Sequence, residues 1–359
     1  MARLGIVGFA NCGKTTLFNA LTGLSASTAP HPFSTVEPMP GVARIPDALL
    51  EQVGKLEKSA KVVPATLELL DLPALPRPGE SSGGAGQYLG RLREMEALVM
   101  VLRAFTDEAV SFEGGAVDPV AQAEELLLEL ALADYEVLSR RAEKLTKESS
   151  ADPLKRMGAA ALTEVSEHLG GGQALRTKQW PPEILQALRD SAPLTIKPAV
   201  WVINVDEAEG QADDLVAGVA RVVPPGDVVL AVSARLEEEA SRLDEGDRME
   251  LFEGLGLGEG ALALIVRAAH QSLGLISFYT VGPKESRAWT VRAGAQAPEA
   301  AGRIHSDLER GFIRAEVAPI ESVIEAGGWD EAKRKGVIRV EGKAYEIRAG
   351  DTLVVRFSV

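Results

Sequence analysis

The sequence predicts an α/β fold with a mostly parallel sheet, an inserted α-helical hairpin and a small C-terminal α+β domain. Three observations predict it. The short apolar run 3–7 enters a glycine-containing loop that leads into a helical pattern from Lys14 to about Leu21. Apolar, β-rich runs then recur at 66–70, 97–102, 198–203 and 227–232 with helical patterns between them, the rhythm of strands joined by crossover helices. Twice the texture changes, to helical spacing after Pro119 and to short β-like runs from Ile276.

The helical insertion carries EELLLELALADYEVLSRRAEKL, with apolar residues three and four apart. A break at 149–153 precedes a second helical run over 154–169. Gly170 to Gly172 close the hairpin, and Pro181-Pro182 are expected to begin the return to the sheet. In the C-terminal part, ISFYTV, AWTVRA, GFIRAEV, GVIRV and TLVVRFSV read as strands, with one helical stretch over 298–310. The expected domains are 1–118 together with 190–275, the hairpin 119–189, and the tail 276–359.

At 359 residues, 46% hydrophobic and 25% charged, the chain is long enough for two or three domains and excludes collagen-like, disordered and disulfide-scaffold classes. No apolar run approaches the roughly 20 residues of a membrane span. The N-terminus lacks a hydrophobic signal core, so a cytoplasmic location without membrane contact is expected. The lone cysteine, Cys12, fits a reducing compartment. A net charge of −14 argues against a whole-molecule grip on nucleic acid, DNA included, so any RNA contact needs a local patch. Two patches qualify. Arg140, Arg141, Lys144, Lys147, Lys155 and Arg156 flank the hairpin turn, where a solvated, salt-bridged face is the alternative, and Lys333, Arg334 and Lys335 lie near Trp329.

Gly8-Phe9-Ala10-Asn11-Cys12-Gly13-Lys14-Thr15 satisfies G-x-x-x-x-G-K-[ST] in its required setting, after a strand and before a helix. Backbone N–H groups of such a loop wrap a β-phosphate, Lys14 reaches the β- and γ-oxygens, and the Thr15 hydroxyl ligates Mg²⁺. Further along, Thr35 in the loop 31–40 offers a hydroxyl to Mg²⁺ and the γ-phosphate, and Asp71 ends an apolar strand where a Mg²⁺-supporting carboxylate belongs. Turn chemistry and strand capping are the alternatives for these two. The strand 198–203 runs into Asn204-Val205-Asp206-Glu207, and the next ends in Ser233-Ala234-Arg235. Guanine-specific switches carry Asn-Lys-x-Asp there. Val205 replaces the Lys and the longer Glu207 replaces the Asp, which removes a bidentate guanine acceptor, while Asn204 can still offer an amide to a purine edge.

With GIVGFANCGKTTLFNALTG, HPFSTVEPMPGVARIPD, VVPATLELLDLPAL, ELALADYEVLSRR, NVDE, SAR and the tail GPKESRAWTVRAGAQAPEAAGRIHSDLERGFIRAEV, the chain resembles the Obg-like ATPase (YchF) family of P-loop NTPases. The resemblance implies a G domain with a helical hairpin, a C-terminal ubiquitin-like TGS domain, and a cytosolic ATPase with some GTP tolerance that associates with ribosomes. It places the phosphates against Asn11, Cys12, Gly13, Lys14, Thr15 and Thr16, and the base near Asn204, Val205, Glu207, Ser233 and Ala234. Mg²⁺ falls to Thr15, Thr35 and Asp71, with Lys14 and Thr35 acting in hydrolysis.

Two departures from the family pattern bear on catalysis. Asp71-Leu72-Pro73-Ala74 stands where Asp-x-x-Gly is usual, and Ala allows fewer backbone conformations than Gly. Leu75 fits the hydrophobic replacement of a water-positioning Gln, and Phe112 aligns where members carry a His. A slow, Mg²⁺-dependent ATPase switch that binds ribosomes is one expectation; a nucleotide-binding scaffold with vestigial hydrolysis, or a GTP-preferring enzyme, is the other. Asn11 leaves a choice of its own: its side-chain carbonyl either helps hold K⁺ beside the phosphates or only stabilises the turn.

Overall fold

A computed structural model describes residues 2–26, 38–75, 85–107, 117–148, 153–206, 212–255 and 260–358. In chain order they begin with β1 (Arg3–Val7), α1 (Lys14–Thr22), β2 (Met39–Arg44), α2 (Ala48–Leu56), β3 (Val62–Val63) and β4 (Thr66–Asp71). Next come α3 (Ala85–Arg93), β5 (Ala97–Arg103), the 30-residue α4 (Pro119–Glu148), α5 (Pro153–Gly170) and α6 (Pro182–Leu188). The middle of the chain continues with β6 (Ala199–Asn204), α7 (Ala212–Ala220), β7 (Val228–Val232), α8 (Ala234–Ala240), α9 (Glu245–Gly254) and α10 (Ala261–Ser272). The last elements are β8 (Leu275–Thr280), β9 (Ser286–Arg292), α11 (Ala297–Ile304), α12 (Ser306–Arg310), β10 (Phe312–Pro319), α13 (Ile320–Ala326), α14 (Trp329–Arg334), β11 (Arg339–Glu341) and β12 (Asp351–Phe357).

The chain divides into two compact units, Met1–Val42 with Glu68–Ala269, and Ala43–Leu67 with His270–Val359. In the first, a sheet runs β2-β4-β1-β5-β6-β7, and the pairs from β4 to β7 are parallel. β5 and β6 are buried at every position, as strands covered by helices on both faces must be. Trp201, Leu98, Met100 and Leu102 pack in that core with Leu126 and Leu130 of α4, which roots the hairpin on the sheet. Further out, α4 and α5 share their own core of Leu138, Leu162, Val165, Leu169 and Trp180.

The second unit has a sheet of order β11-β10-β12-β8-β9-β3. Phe278, Val291, Val317 and Leu353 point into a core closed by Ala297, Ala300 and Ala301 of α11. Tyr279, one residue on from Phe278, faces the opposite side, where its hydroxyl donates to Asp47 Oδ2 at 2.7 Å. Asp47 is the N-cap of α2, its Oδ1 accepting from the Leu50 N–H at 2.9 Å. Strand β3 adds to the sheet in parallel, Val62 opposite Ser286 and Val63 opposite Arg287.

The expected first domain included 43–67, and the compact unit that holds this segment is the second, because α2 packs on β9 and α13 and β3 pairs with β9. Pro182 opens α6 instead of returning the chain to the sheet: at the first position of a helix its missing N–H costs nothing. The single stretch expected over 298–310 is two helices, broken where His305 is extended and caps α12 through its ring nitrogen on the Asp307 N–H.

Candidate nucleotide site

The loop Gly8–Gly13 joins β1 to α1 under the carboxyl ends of β5 and β6. Gly8 is required by space, since a Cβ there would lie 2.6 Å from both the Val101 carbonyl oxygen and Cys12 Sγ. Gly13 is required by conformation as well, at φ 95°, and a Cβ would run into the Asn204 amide. Asn11 is left-handed too, at φ 60°, a conformation that Asn tolerates better than most residues. The Cys12 thiol is buried, and desolvation raises its pKa.

Lys14 is buried with its ammonium donating to the Phe9 carbonyl at 2.8 Å. Thr15 donates from Oγ1 to Asp71 Oδ2 at 2.7 Å, so the first turn of α1 and the end of β4 meet. Asp71 is buried and its Oδ1 has no hydrogen-bond partner among the described residues. Burial raises the pKa of this carboxyl, opposed by the Thr15 hydrogen bond and the Lys14 charge. Thr16, half-buried, follows in the same turn. Just past Asp71, the Leu75 N–H donates to the Gly8 carbonyl at 3.1 Å, which brings the Leu72–Leu75 segment to the phosphate loop.

Asn204 has a task that its expected purine contact did not include. Its Nδ2 donates to the Cys12 carbonyl at 3.1 Å and its Oδ1 accepts from the Ala234 N–H at 3.0 Å, so it ties the phosphate loop to the turn after β7. Ser233 caps α8 through its hydroxyl on the Leu236 N–H. The Val205 N–H donates to the Val232 carbonyl at 2.9 Å, and its side chain packs on the core. Thr35, Glu207 and Phe112 lie outside the described residues.

Three groups at this site are not picked out by the sequence pattern. Arg103 ends β5 with its guanidinium against the loop, Phe105 borders Gly13, and Asp206 accepts from Thr106 at its N–H (3.1 Å) and hydroxyl (3.3 Å). The available signal was a charged residue closing the apolar run ALVMVLR.

Both basic patches are partly spent on internal pairs. Arg141 bonds Asp190 and Ser191, Arg140 pairs with Glu136 and Lys155 with Glu148, whereas Lys144, Lys147 and Arg156 are exposed at the hairpin tip. Lys333 bonds Glu316 and Arg334 bonds Glu331, and Trp329 is buried, so its ring is closed to a stacking base.

The chain is 35% identical over 363 residues to a ribosome-binding ATPase YchF of Bacillus subtilis, with 99% of each covered. It belongs to the YchF family. A YchF protein of Escherichia coli O157:H7 with the same description is 36% identical over 360 residues, again at 99% of each chain. A family model described as 50S ribosome-binding GTPase matches residues 3–135. A second model, for the C-terminal region of YchF GTPases and described as a protein of unknown function, matches 275–358. The solved structure of the Schizosaccharomyces pombe YchF GTPase superposes with a TM-score of 0.84 at 26% identity, covering 99% of this chain and 97% of that one. The chain is thus a P-loop NTPase with the YchF architecture.

Proposed function

We propose that this YchF-family protein is a nucleotide-dependent switch that binds and slowly hydrolyses ATP with Mg²⁺ and associates with the ribosome. The observation that carries the reading is the junction beneath the phosphate loop, where the Thr15 hydroxyl and the Asp71 carboxylate meet at 2.7 Å and Asp71 Oδ1 is buried without a partner. That donor set, all oxygen and one of it anionic, fits a Mg²⁺ that keeps several waters. Thr15 would bind the ion directly, Asp71 would hold one of its waters, and Thr35 is the proposed third oxygen. Bound there, Mg²⁺ supplies charge neutralisation on the triphosphate. The chain's own groups do the rest: the loop N–H groups bind the β-phosphate, and Lys14 exchanges its Phe9 contact for phosphate oxygens. K⁺ near Asn11 is part of the proposal, and the left-handed Asn11 backbone equally suits plain turn stabilisation.

ATP as the preferred nucleotide rests on the names of the relatives and on Val205 and Glu207 standing where a guanine reader has Lys and Asp. Ribosome association rests on those names too, and Lys144, Lys147 and Arg156 make the hairpin tip the proposed RNA-facing surface, with the C-terminal region, read as a TGS domain, beside it in that role. A cytoplasmic location follows from the same reading; no described helix is long and apolar enough to cross a membrane.

Equilibrium titration with ATP and GTP, and single-turnover hydrolysis with and without ribosomes, test this. ATP binding tighter than GTP and turnover raised by ribosomes are expected. GTP bound tenfold tighter would make it a GTPase. ATP bound without any turnover under either condition would leave the scaffold reading, which Ala74 in the Asp-x-x-Gly position favours.

A further inference from the structure

Arg103 closes a strand that is otherwise uncharged and buried along its whole length, and its own side chain is 2% exposed. Register pairs it with Asn204 on β6, so the two side chains leave one face of the sheet about 4.8 Å apart. Both reach the phosphate loop. Arg103 Nη1 donates to the Asn11 carbonyl at 3.2 Å, and Asn204 Nδ2 donates to the next carbonyl, Cys12, at 3.1 Å. The strand spacing suits that job, since successive Cα atoms of the loop are about 3.8 Å apart. The guanidinium spreads its other donors over the loop that follows β5, Nε to the Phe105 carbonyl at 3.2 Å and Nη2 to the Asp107 carbonyl at 3.4 Å. Its carbon sits 4.2 Å from the centroid of the Phe105 ring. The Arg103 backbone is itself fixed from the hairpin. Buried Gln122 of α4 accepts from the Arg103 N–H and donates to its carbonyl, each at 2.8 Å, as a neighbouring strand would.

A trans peptide is planar, with its C=O and N–H pointing opposite ways. Drawing the Asn11 and Cys12 carbonyls toward the sheet therefore turns the N–H groups of Cys12 and Gly13 to the other side, and left-handed Asn11 and Gly13 let the chain take this path. We propose that Arg103 is a positioning residue for nucleotide binding: it holds the Asn11–Cys12 peptide so that the Cys12 N–H faces the β-phosphate, in step with the hold of Asn204 on the next peptide. The inference rests on the reading of Gly8–Thr15 as the triphosphate site. A planar fork with five donors can serve three carbonyls in two loops; a lysine ammonium at the same position keeps the charge and loses that reach.

The test is calorimetric titration of ADP and of a non-hydrolysable ATP analogue into the full chain as wild type, Arg103→Lys, Arg103→Gln and Lys14→Ala, with melting temperatures and the amide NMR signals of Cys12 and Gly13 followed alongside. Both Arg103 variants are expected to stay folded and to bind ADP at least tenfold more weakly, with the ADP-induced shift of the Cys12 amide reduced. Because Arg103→Lys retains the positive charge, its loss reports geometry and not long-range attraction. Arg103→Lys binding ADP within twofold of wild type, with an unchanged Cys12 shift, would overturn the proposal, as would a lower melting temperature with unchanged affinity, the mark of a staple alone. Failure of wild type itself to bind either nucleotide, or Lys14→Ala binding as wild type does, would instead strike the reading of the loop as the phosphate site.

Discussion

The Lys14 ammonium donates to the Phe9 carbonyl of the neighbouring loop, and on the proposed function it exchanges that contact for phosphate oxygens. Lys14→Ala is therefore expected to abolish tight triphosphate binding while the circular dichroism spectrum stays that of wild type; retained affinity would place the phosphates elsewhere. Asn11 invites a comparison of ATP turnover in KCl and NaCl at equal ionic strength. Faster turnover in KCl that disappears in Asn11→Ala is the outcome expected of a cation site, and equal rates in the two salts would leave Asn11 as a turn residue. His270 bears on stability instead. Its imidazole is buried, its Nε2 has no partner among the described residues, and burial pushes its pKa below the usual 6.5. The unfolded chain then takes up a proton at a higher pH than the folded one, so the stability this group leaves intact at neutral pH is lost as the pH falls through about 6.5. Urea denaturation at pH 7.5 and 5.5 should show wild type losing more than His270→Asn over that interval.

Among the elements, α3 and α4 are joined by a buried ion pair that the sequence pattern did not announce. Arg93 at the end of α3 donates to Asp134 Oδ1 at 2.7 Å, and Asp134 also accepts from the N–H groups of Leu194 (2.9 Å) and Thr195 (2.8 Å) and from the Thr195 hydroxyl (2.8 Å). Lys197 adds bonds to the carbonyls of Arg93 and Met95. Removing one partner strands a fully buried carboxylate, so Arg93→Ala is expected to cost about 3–5 kcal/mol in urea denaturation, with a smaller loss when Asp134 is changed to Asn in the same chain. A double-variant loss equal to the sum of the Arg93→Ala and Asp134→Asn losses would mean the two groups are not coupled. Periodicity could show that α4 and α5 form a hairpin, because Leu138, Leu162 and Val165 recur at helical spacing. It could not show the joint, since Arg93 and Asp134 are 41 positions apart and ion pairing leaves no period.

At the scale of the whole molecule, the expected free-enzyme turnover is on the order of 10⁻⁴ to 10⁻² s⁻¹, the range of switch NTPases without an activating partner. A steady-state rate above about 1 s⁻¹ would reveal a water-orienting group that Leu75 and Phe112 do not supply. The parallel sheet and the phosphate loop were legible in the sequence because each leaves a local trace, an apolar run and a glycine spacing, whereas the Thr15–Asp71 hydrogen bond joins two elements whose contact no local pattern states. The grip of Arg103 and Asn204 on the loop was not legible either, since register between strands about a hundred residues apart is set by packing and by nothing near either residue. Nor was the membership of 43–67 in the second unit, for a two-residue strand has no pattern to read. That segment also sets a timetable for synthesis. Val62 must wait for Ser286, its partner across the sheet, and at roughly 5–20 residues per second the wait is on the order of ten to forty seconds. Through that time α2, with Leu50 and Val53 on the face it later buries, has left the translation machinery without its sheet. A nascent chain of this protein carries 43–67 as an unfinished piece of the second unit until β9 is made, and the strand Asp351–Phe357 reaches that sheet later still.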